Sequence, residues 1–206
     1  MSRYTLVLRA CSAEGQPHVA QFLGKAFSLK ETTCATIAQS MPIALLDDLS
    51  RQFGYYRNEL LNIVMTGLEG KVNMARMLGT MRQSPPKSIG GLPVASVEDL
   101  QDESGRMGPF KGDTDKAARN FLIFRLGGTG GMSAKVCLRP SGTEPKAKAY
   151  MEVASEPRKA NMPQAEWNAT CAAVDAQVQK IATDFLTLAM TTVGQTPPPG
   201  ADKLSR

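Results

Sequence analysis

From Ser133 to Val153 the chain reads SAKVCLRPSGTEPKAKAYMEV, and the reading of this stretch decides the fold. Ala134 to Leu138 and Ala147 to Val153 are short apolar runs, the pattern of strands, and the segment between them is dense in Pro, Ser, Gly and Thr. A connection this short cannot hold a crossover helix, so the strands it joins lie antiparallel.

The connecting segment Arg139-Pro140-Ser141-Gly142-Thr143-Glu144-Pro145-Lys146 also carries the chemistry. Arg139 offers a planar, permanently charged fork that can hold a phosphate through two parallel hydrogen bonds. Ser141 and Thr143 add hydroxyl donors, and Lys146 adds a point charge. Gly142 has no side chain, so its backbone can approach an oxyanion and turn N–H groups towards it. Pro140 and Pro145 stiffen the loop. A phosphate ester carries about −1.5 to −2 charges at neutral pH, and each charge-assisted bond contributes roughly 1.5–3 kcal/mol before ordering costs. The plain alternative is a tight turn with an exposed arginine at its edge.

Outward from this hairpin, Leu60 to Met65, Leu92 to Val97 and Phe121 to Leu126 read as further strands. Between the first two, Val72, Met74, Ala75, Leu78 and Met81 fall at helical spacing from Glu69 to Gln83, and Ser84-Pro85-Pro86 ends the helix. The methionines of this helix suit core packing. The clearest helix follows the last strand, where Trp167, Cys171, Val174, Val178, Ile181, Phe185 and Leu188 recur at three- and four-residue steps. The expected fold is α+β, a largely antiparallel sheet with helices packed on it. Before it, Val19, Phe22, Leu23, Ala26 and Phe27 form one helical stripe, and a second amphipathic segment runs from Pro42 to a stop at Gly54. After Val193 the Pro-rich end reads as a flexible tail.

Composition narrows the function classes. The 206 residues are 42% hydrophobic, which suits a packed core, and the net charge of +5 favours anionic ligands. Basic residues are scattered rather than interleaved with aromatics, which argues against nucleic acid. Cys11, Cys34, Cys137 and Cys171 form no CxxC pair and read as buried thiols in a reducing compartment. No stretch is long enough for a signal sequence or a membrane span, so the expected location is cytoplasmic. His18 is the only histidine and stands in no catalytic motif. Gly127 to Gly131 lacks the third glycine of a dinucleotide fingerprint and precedes a strand, so it reads as a flexible hairpin loop.

The string from Arg139 to Pro145 resembles the phosphate-binding loop, R-x-S-G-T-E-P after a strand, in the C-terminal domain of the phosphoglucomutase/phosphomannomutase family of phosphohexomutases. LLDDLSRQFGYYRNELLNIV, GLEGKVNMARMLGTMRQSPP, GLPVASVEDL and SAKVCLRPSGTEPKAKAYMEV resemble the passage from that family's third domain into and through its fourth, in order. The likeness covers Ala44 to Ala154 best, continues through the last helix and is poor before Ala35. By resemblance, residues 1–54 are a helical segment like the end of the third domain, 55–193 are the C-terminal (fourth) domain, and 194–206 are the flexible tail. The fold it implies is similar to the TATA-binding-protein-like arrangement of antiparallel sheet and helices.

Family enzymes are isomerases of carbohydrate metabolism that move a phosphoryl group between C1 and C6 of a hexose, with a phosphorylated serine and Mg²⁺. By resemblance the loop holds the phosphate that is not transferred. Arg139, Ser141, Gly142 and Thr143 contact it, Lys146 supports them, and Pro140, Glu144 and Pro145 order the loop. The implied partners are a hexose phosphate, glucose or mannose 1- or 6-phosphate, and the remaining mutase domains. The family's serine loop, like T-A-S-H-N-P, its metal loop, like D-x-D-x-D-R, and its sugar-selecting loop, like G-E-E-S-G, have no counterpart here. Gly112-Asp113-Thr114-Asp115-Lys116 only imitates the metal loop, and its carboxylates read as solvated charges in a mobile loop rather than Mg²⁺ ligands. The chain is expected to hold no metal or cofactor and to be inactive alone, because positioning and electrostatics supply most phosphoryl-transfer catalysis. A free-standing, non-catalytic sugar-phosphate binding module and a partner-binding domain with a vestigial loop stand as alternatives.

Overall fold

The computed structural model describes residues 48–65, 69–128, 130–142, 144 and 146–200. The helical stripe expected at Val19 to Phe27, His18, Cys11, Cys34 and the start of the segment from Pro42 lie outside them. The chain forms two compact units. In the described part of the first, residues 48–53 are helical and end at Gly54, whose φ of 97° and N–H bond to Ser50 O make the left-handed stop expected there. Arg158, in the excursion Pro157–Ala160, bonds to Arg51 of that helix.

The second unit is an α+β fold. Six strands, β1 (Tyr56–Val64), β2 (Ser88–Ile89), β3 (Leu92–Asp99), β4 (Leu122–Leu126), β5 (Ser133–Pro140) and β6 (Lys146–Ala154), form one sheet in the order β1-β6-β5-β4-β3-β2. Every neighbouring pair is antiparallel. Helices α1 (Gly70–Gln83) and α3 (Gln164–Thr191) pack on one face, α3 over β1 and β6 and α1 over β6; α2 (Asp113–Ala118) lies in the β3–β4 connection.

Alternation along the strands assigns the two faces. Leu61 and Ile63, Ala147 to Val153 at odd positions, Val136 and Leu138, and Leu122, Phe124 and Leu126 point to the helices and are buried. Ala147 and Ala149 at the centre leave room for α1 and α3 to come close. Met74, Met77, Leu78 and Met81 of α1 and Val174, Val178, Ile181, Phe185 and Leu186 of α3 complete the core, so the methionines pack as expected. Fully burying each large side chain contributes roughly 1.5–3 kcal/mol. Phe124 meets Phe185 edge to face, with ring centroids 5.8 Å apart.

Some boundaries differ from the sequence reading. β1 starts at Tyr56 rather than Leu60, because its first inward residues are Arg57 and Glu59, which pair with each other beneath Asp175 of α3 and break the apolar pattern. The Asp113–Asp115 segment is helical rather than a loop of solvated carboxylates, and Asp115 is ion-paired to Arg119 at 2.6 Å. Of the thiols, Cys137 and Cys171 are half-buried rather than buried; Cys137 stands at the outward parity of β5, on the helix-free face. No helix among the described residues is long and apolar enough to cross a membrane.

Candidate functional site

The hairpin of β5 and β6 positions the candidate loop at one end of the sheet. Its closure is a backbone bond: Ser141 N–H donates to Lys146 O at 2.8 Å, directly beyond the register pairs Pro140↔Ala147 and Arg139↔Lys148. Inside that closure Lys146 N–H donates to Glu144 O at 2.8 Å. Of the loop residues expected to form the site, Arg139, Pro140, Ser141, Gly142, Glu144 and Lys146 are brought together here, whereas Thr143 and Pro145 lie outside the described residues.

Arg139 shares the strand parity of Lys135 and Cys137, opposite to that of the buried Ala134, Val136 and Leu138. It therefore stands on the sheet face that carries no helix, and it is exposed. Its guanidinium has no ion pair or hydrogen bond among the described residues. Directly across the ladder Lys148 occupies the same face, and Asn62 of β1 follows it in the same row. Two cations thus face solvent side by side at the loop end, with no carboxylate in their row. Lys148 was not among the residues singled out from the sequence. The hairpin register, counted outward from Ser141 and Lys146, is the signal that finds it.

Lys146 is less available. Its ammonium sits 2.7 Å from Glu144 Oε2, and this bond, with Lys148 nearby, holds the Glu144 carboxyl below the usual glutamate range. Gly142 is exposed, its φ lies outside the left-handed region, and a Cβ built on it would meet nothing within 4 Å. Neither conformation nor local packing demands glycine there. Such a position is open to close approach by a ligand from outside.

The remaining candidates dissolve into structural roles. Both carboxylate oxygens of Asp115 are engaged, by Arg119 Nε at 2.9 Å, by the Arg119 amino group and by Lys111 N–H, and Asp113 lies two residues away on a different side of α2. These groups do not fit Mg²⁺, which demands near-octahedral oxygen ligation. Among the described residues no group of three or more His, Cys, Asp or Glu side chains could hold a metal ion. Gly127–Gly131 joins paired strands β4 and β5 as a hairpin connection, with Thr129 outside the described residues. Burial raises the pKa of the Cys137 thiol and keeps it protonated at neutral pH, which weighs against a thiolate role.

No protein-family model matches the chain. Among curated proteins it is similar to a phosphoglucomutase of Staphylococcus epidermidis, 27% identical over 113 residues, which are 54% of this chain and 20% of that protein. A phosphoglucomutase of Staphylococcus haemolyticus is 30% identical over 115 residues, 52% of this chain and 19% of its own length. A phosphoglucomutase of Staphylococcus aureus is 30% identical over 109 residues, with the same shares. About half of the chain is therefore related to phosphoglucomutases, and the chain spans about a fifth of the length of these relatives.

Proposed function

We propose that this chain carries the phosphate-binding C-terminal domain of a phosphohexomutase, in which the Arg139–Lys146 loop anchors the phosphate of a hexose phosphate that is not being transferred. Residues 55–193 form that domain, in the TATA-binding-protein-like arrangement, and glucose and mannose 1- or 6-phosphate are the substrate class. The likeness to phosphoglucomutases supports the reading from outside the structure. Within it, the single observation that carries most weight is the Arg139 guanidinium, without a partner among the described residues, standing exposed beside Lys148 at the mouth of a closed hairpin loop.

An arginine fork next to an ammonium matches a dianion in charge, and the fork fixes its orientation. Ser141 adds a hydroxyl at the same rim, and open space at Gly142 lets a phosphate oxygen reach the backbone. These groups bind and orient. The serine that carries the phosphoryl group and the Mg²⁺ that activates it belong to other domains of the complete enzyme, so this chain alone is expected to hold hexose phosphates in the millimolar range, about 4 kcal/mol, without turnover.

The test is an NMR titration of the labelled chain with glucose 1-phosphate and with inorganic phosphate, repeated on Arg139→Ala. Shifts centred on Arg139 to Lys148 that vanish in the variant are the expected result. Binding that is undiminished in Arg139→Ala would overturn the assignment.

A further inference from the structure

The sheet ends in two edges that differ sharply. On the far side β2 is only two residues long, Pro93 follows it, and β3 carries a register shift between Val94 and Ser96. Short strands, prolines and bulges are the devices that stop an edge from pairing with another chain. The opposite edge, β1, has none of these three; of the other devices it carries only inward-pointing charges, Arg57 and Glu59, which pair with each other within the chain. It runs nine residues, Tyr56–Val64, without proline, lysine or irregularity, in unbroken register with β6.

The hydrogen-bond pattern shows which groups of β1 are free. In an antiparallel ladder alternate residues direct both backbone groups to the same neighbour. Ser155 N–H donates to Tyr55 O at 3.0 Å, in line with the β1–β6 register, so odd-numbered residues of β1 bond to β6. The Ser141–Lys146 bond agrees, since it assigns even-numbered residues of β6 to β5 and leaves the odd ones for β1. The N–H and C=O groups of Tyr56, Asn58, Leu60, Asn62 and Val64 therefore point outward, along an edge that no other strand among the described residues pairs.

The same five residues carry side chains on the helix-free face, where Tyr56 is 52%, Leu60 36% and Val64 51% exposed. Their order is Tyr-Asn-Leu-Asn-Val, symmetric in character about Leu60. We propose that β1 is a self-pairing edge, and that a second copy of this chain adds its own β1 antiparallel about a two-fold axis at Leu60. That register sets Leu60 against its symmetry mate, Asn58 against Asn62 of the other copy, and Tyr56 against Val64. Apolar side chains meet apolar ones, and the two amides can each donate and accept. All five outward backbone pairs are satisfied at once, as an isologous contact requires. Two-fold pairings centred on Asn58 or Asn62 keep the face but engage fewer residues. The charged side chains of the strand do not oppose this contact, because Arg57 and Glu59 point to the helix side and pair within their own chain.

Sedimentation analysis of the full chain from about 1 µM to about 1 mM tests it. The expected mass rises with concentration from 22.1 kDa towards twice that value. Leu60→Lys, which puts a charge at the axis, and Leu60→Pro, which removes an outward N–H without touching the β1–β6 ladder, should both hold the mass at 22.1 kDa with unchanged circular dichroism. Amide exchange at high concentration should slow at Asn58, Leu60 and Asn62 and stay constant at Leu61 and Ile63. A wild-type chain that remains monomeric throughout, or a dimer that persists in Leu60→Lys, overturns the proposal.

Discussion

Glu144 holds the Lys146 ammonium at 2.7 Å, so the one acid of the candidate loop neutralises a cation that would otherwise face the ligand. Loop closure does not depend on that carboxylate, because Ser141 N–H bonds Lys146 O and Lys146 N–H bonds Glu144 O through backbone groups alone. Glu144→Gln therefore leaves the hairpin intact, frees Lys146 and removes a charge that repels phosphate. Inorganic phosphate should bind about two- to five-fold more tightly at low salt, the scale of a single exposed charge pair, and the gain should shrink as ionic strength rises. Titrations of both proteins at two salt concentrations measure it. Weaker binding by the variant would mean that Glu144 orders the loop through its carboxylate.

The turn between β2 and β3 is built from two glycines with different reasons. Gly90 and Gly91 both have positive φ, 59° and 77°, which a two-residue hairpin turn of this hand requires. A Cβ on Gly90 would also lie 2.9 Å from the Ile181 backbone of α3, whereas one on Gly91 would meet nothing within 4 Å. Gly91→Ala should cost about 1–2 kcal/mol from the left-handed conformation alone. Gly90→Ala adds a backbone overlap and should cost roughly 2–5 kcal/mol. Urea unfolding midpoints separate the two.

Much of this fold was legible because its elements obey a single period. The stripe from Trp167 through Phe185 and the hairpin of β5 and β6 each have an apolar face uninterrupted by charge, and their bounds differ from the sequence reading by only a few residues. The first half of β1 was hidden by Arg57 and Glu59, inward-facing ions that pair with each other, with Asp175, more than a hundred residues away in sequence, 3.8 Å from Arg57 Nε. Helix α2 was hidden because none of its residues is buried, so it carries no apolar period. In the candidate site, composition pointed to Arg139, Ser141 and Gly142, but Lys148 emerges only from strand register. The Glu144–Lys146 pair depends on side-chain rotamers that spacing does not fix.

The β3–β4 connection is organised around Arg119. Only 4% exposed, its side chain donates to Asp115, to Gly108 O at 2.7 Å and to Pro109 O at 3.3 Å, and lies over the Phe110 ring. Arg119→Ala strips partners from these acceptors and should cost about 2–4 kcal/mol. Arg119→Lys, with no planar fork, should recover only part of it. Arg119 also holds the Asp115 carboxyl below the usual aspartate range. A carboxyl whose pKa is lower in the folded state contributes stability above its unfolded pKa and loses it as pH falls through the folded one. Amide protection across residues 108–119, measured relative to the intrinsic exchange rate at each pH, should accordingly fall in acid, below the ordinary aspartate pKa. In Asp115→Asn that acid step should be gone.

Position on the helix-free face distinguishes a phosphate site from general attraction to a basic surface. Lys148 stands across the ladder from Arg139 with no carboxylate in its row, while Lys135, on the same face and strand as Arg139, is tied to Glu152 at 2.7 Å. Four residues of strand separate Lys135 from Arg139, about 13 Å, beyond the screening length of about 8 Å at physiological salt. If the loop anchors phosphate, Lys148→Gln should weaken glucose 1-phosphate binding several-fold and Lys135→Gln should leave it unchanged, although each removes one positive charge. Titration of the two variants at physiological ionic strength reads the difference directly. Equal losses would assign the binding to net charge, and the loop would then be a turn with an exposed arginine.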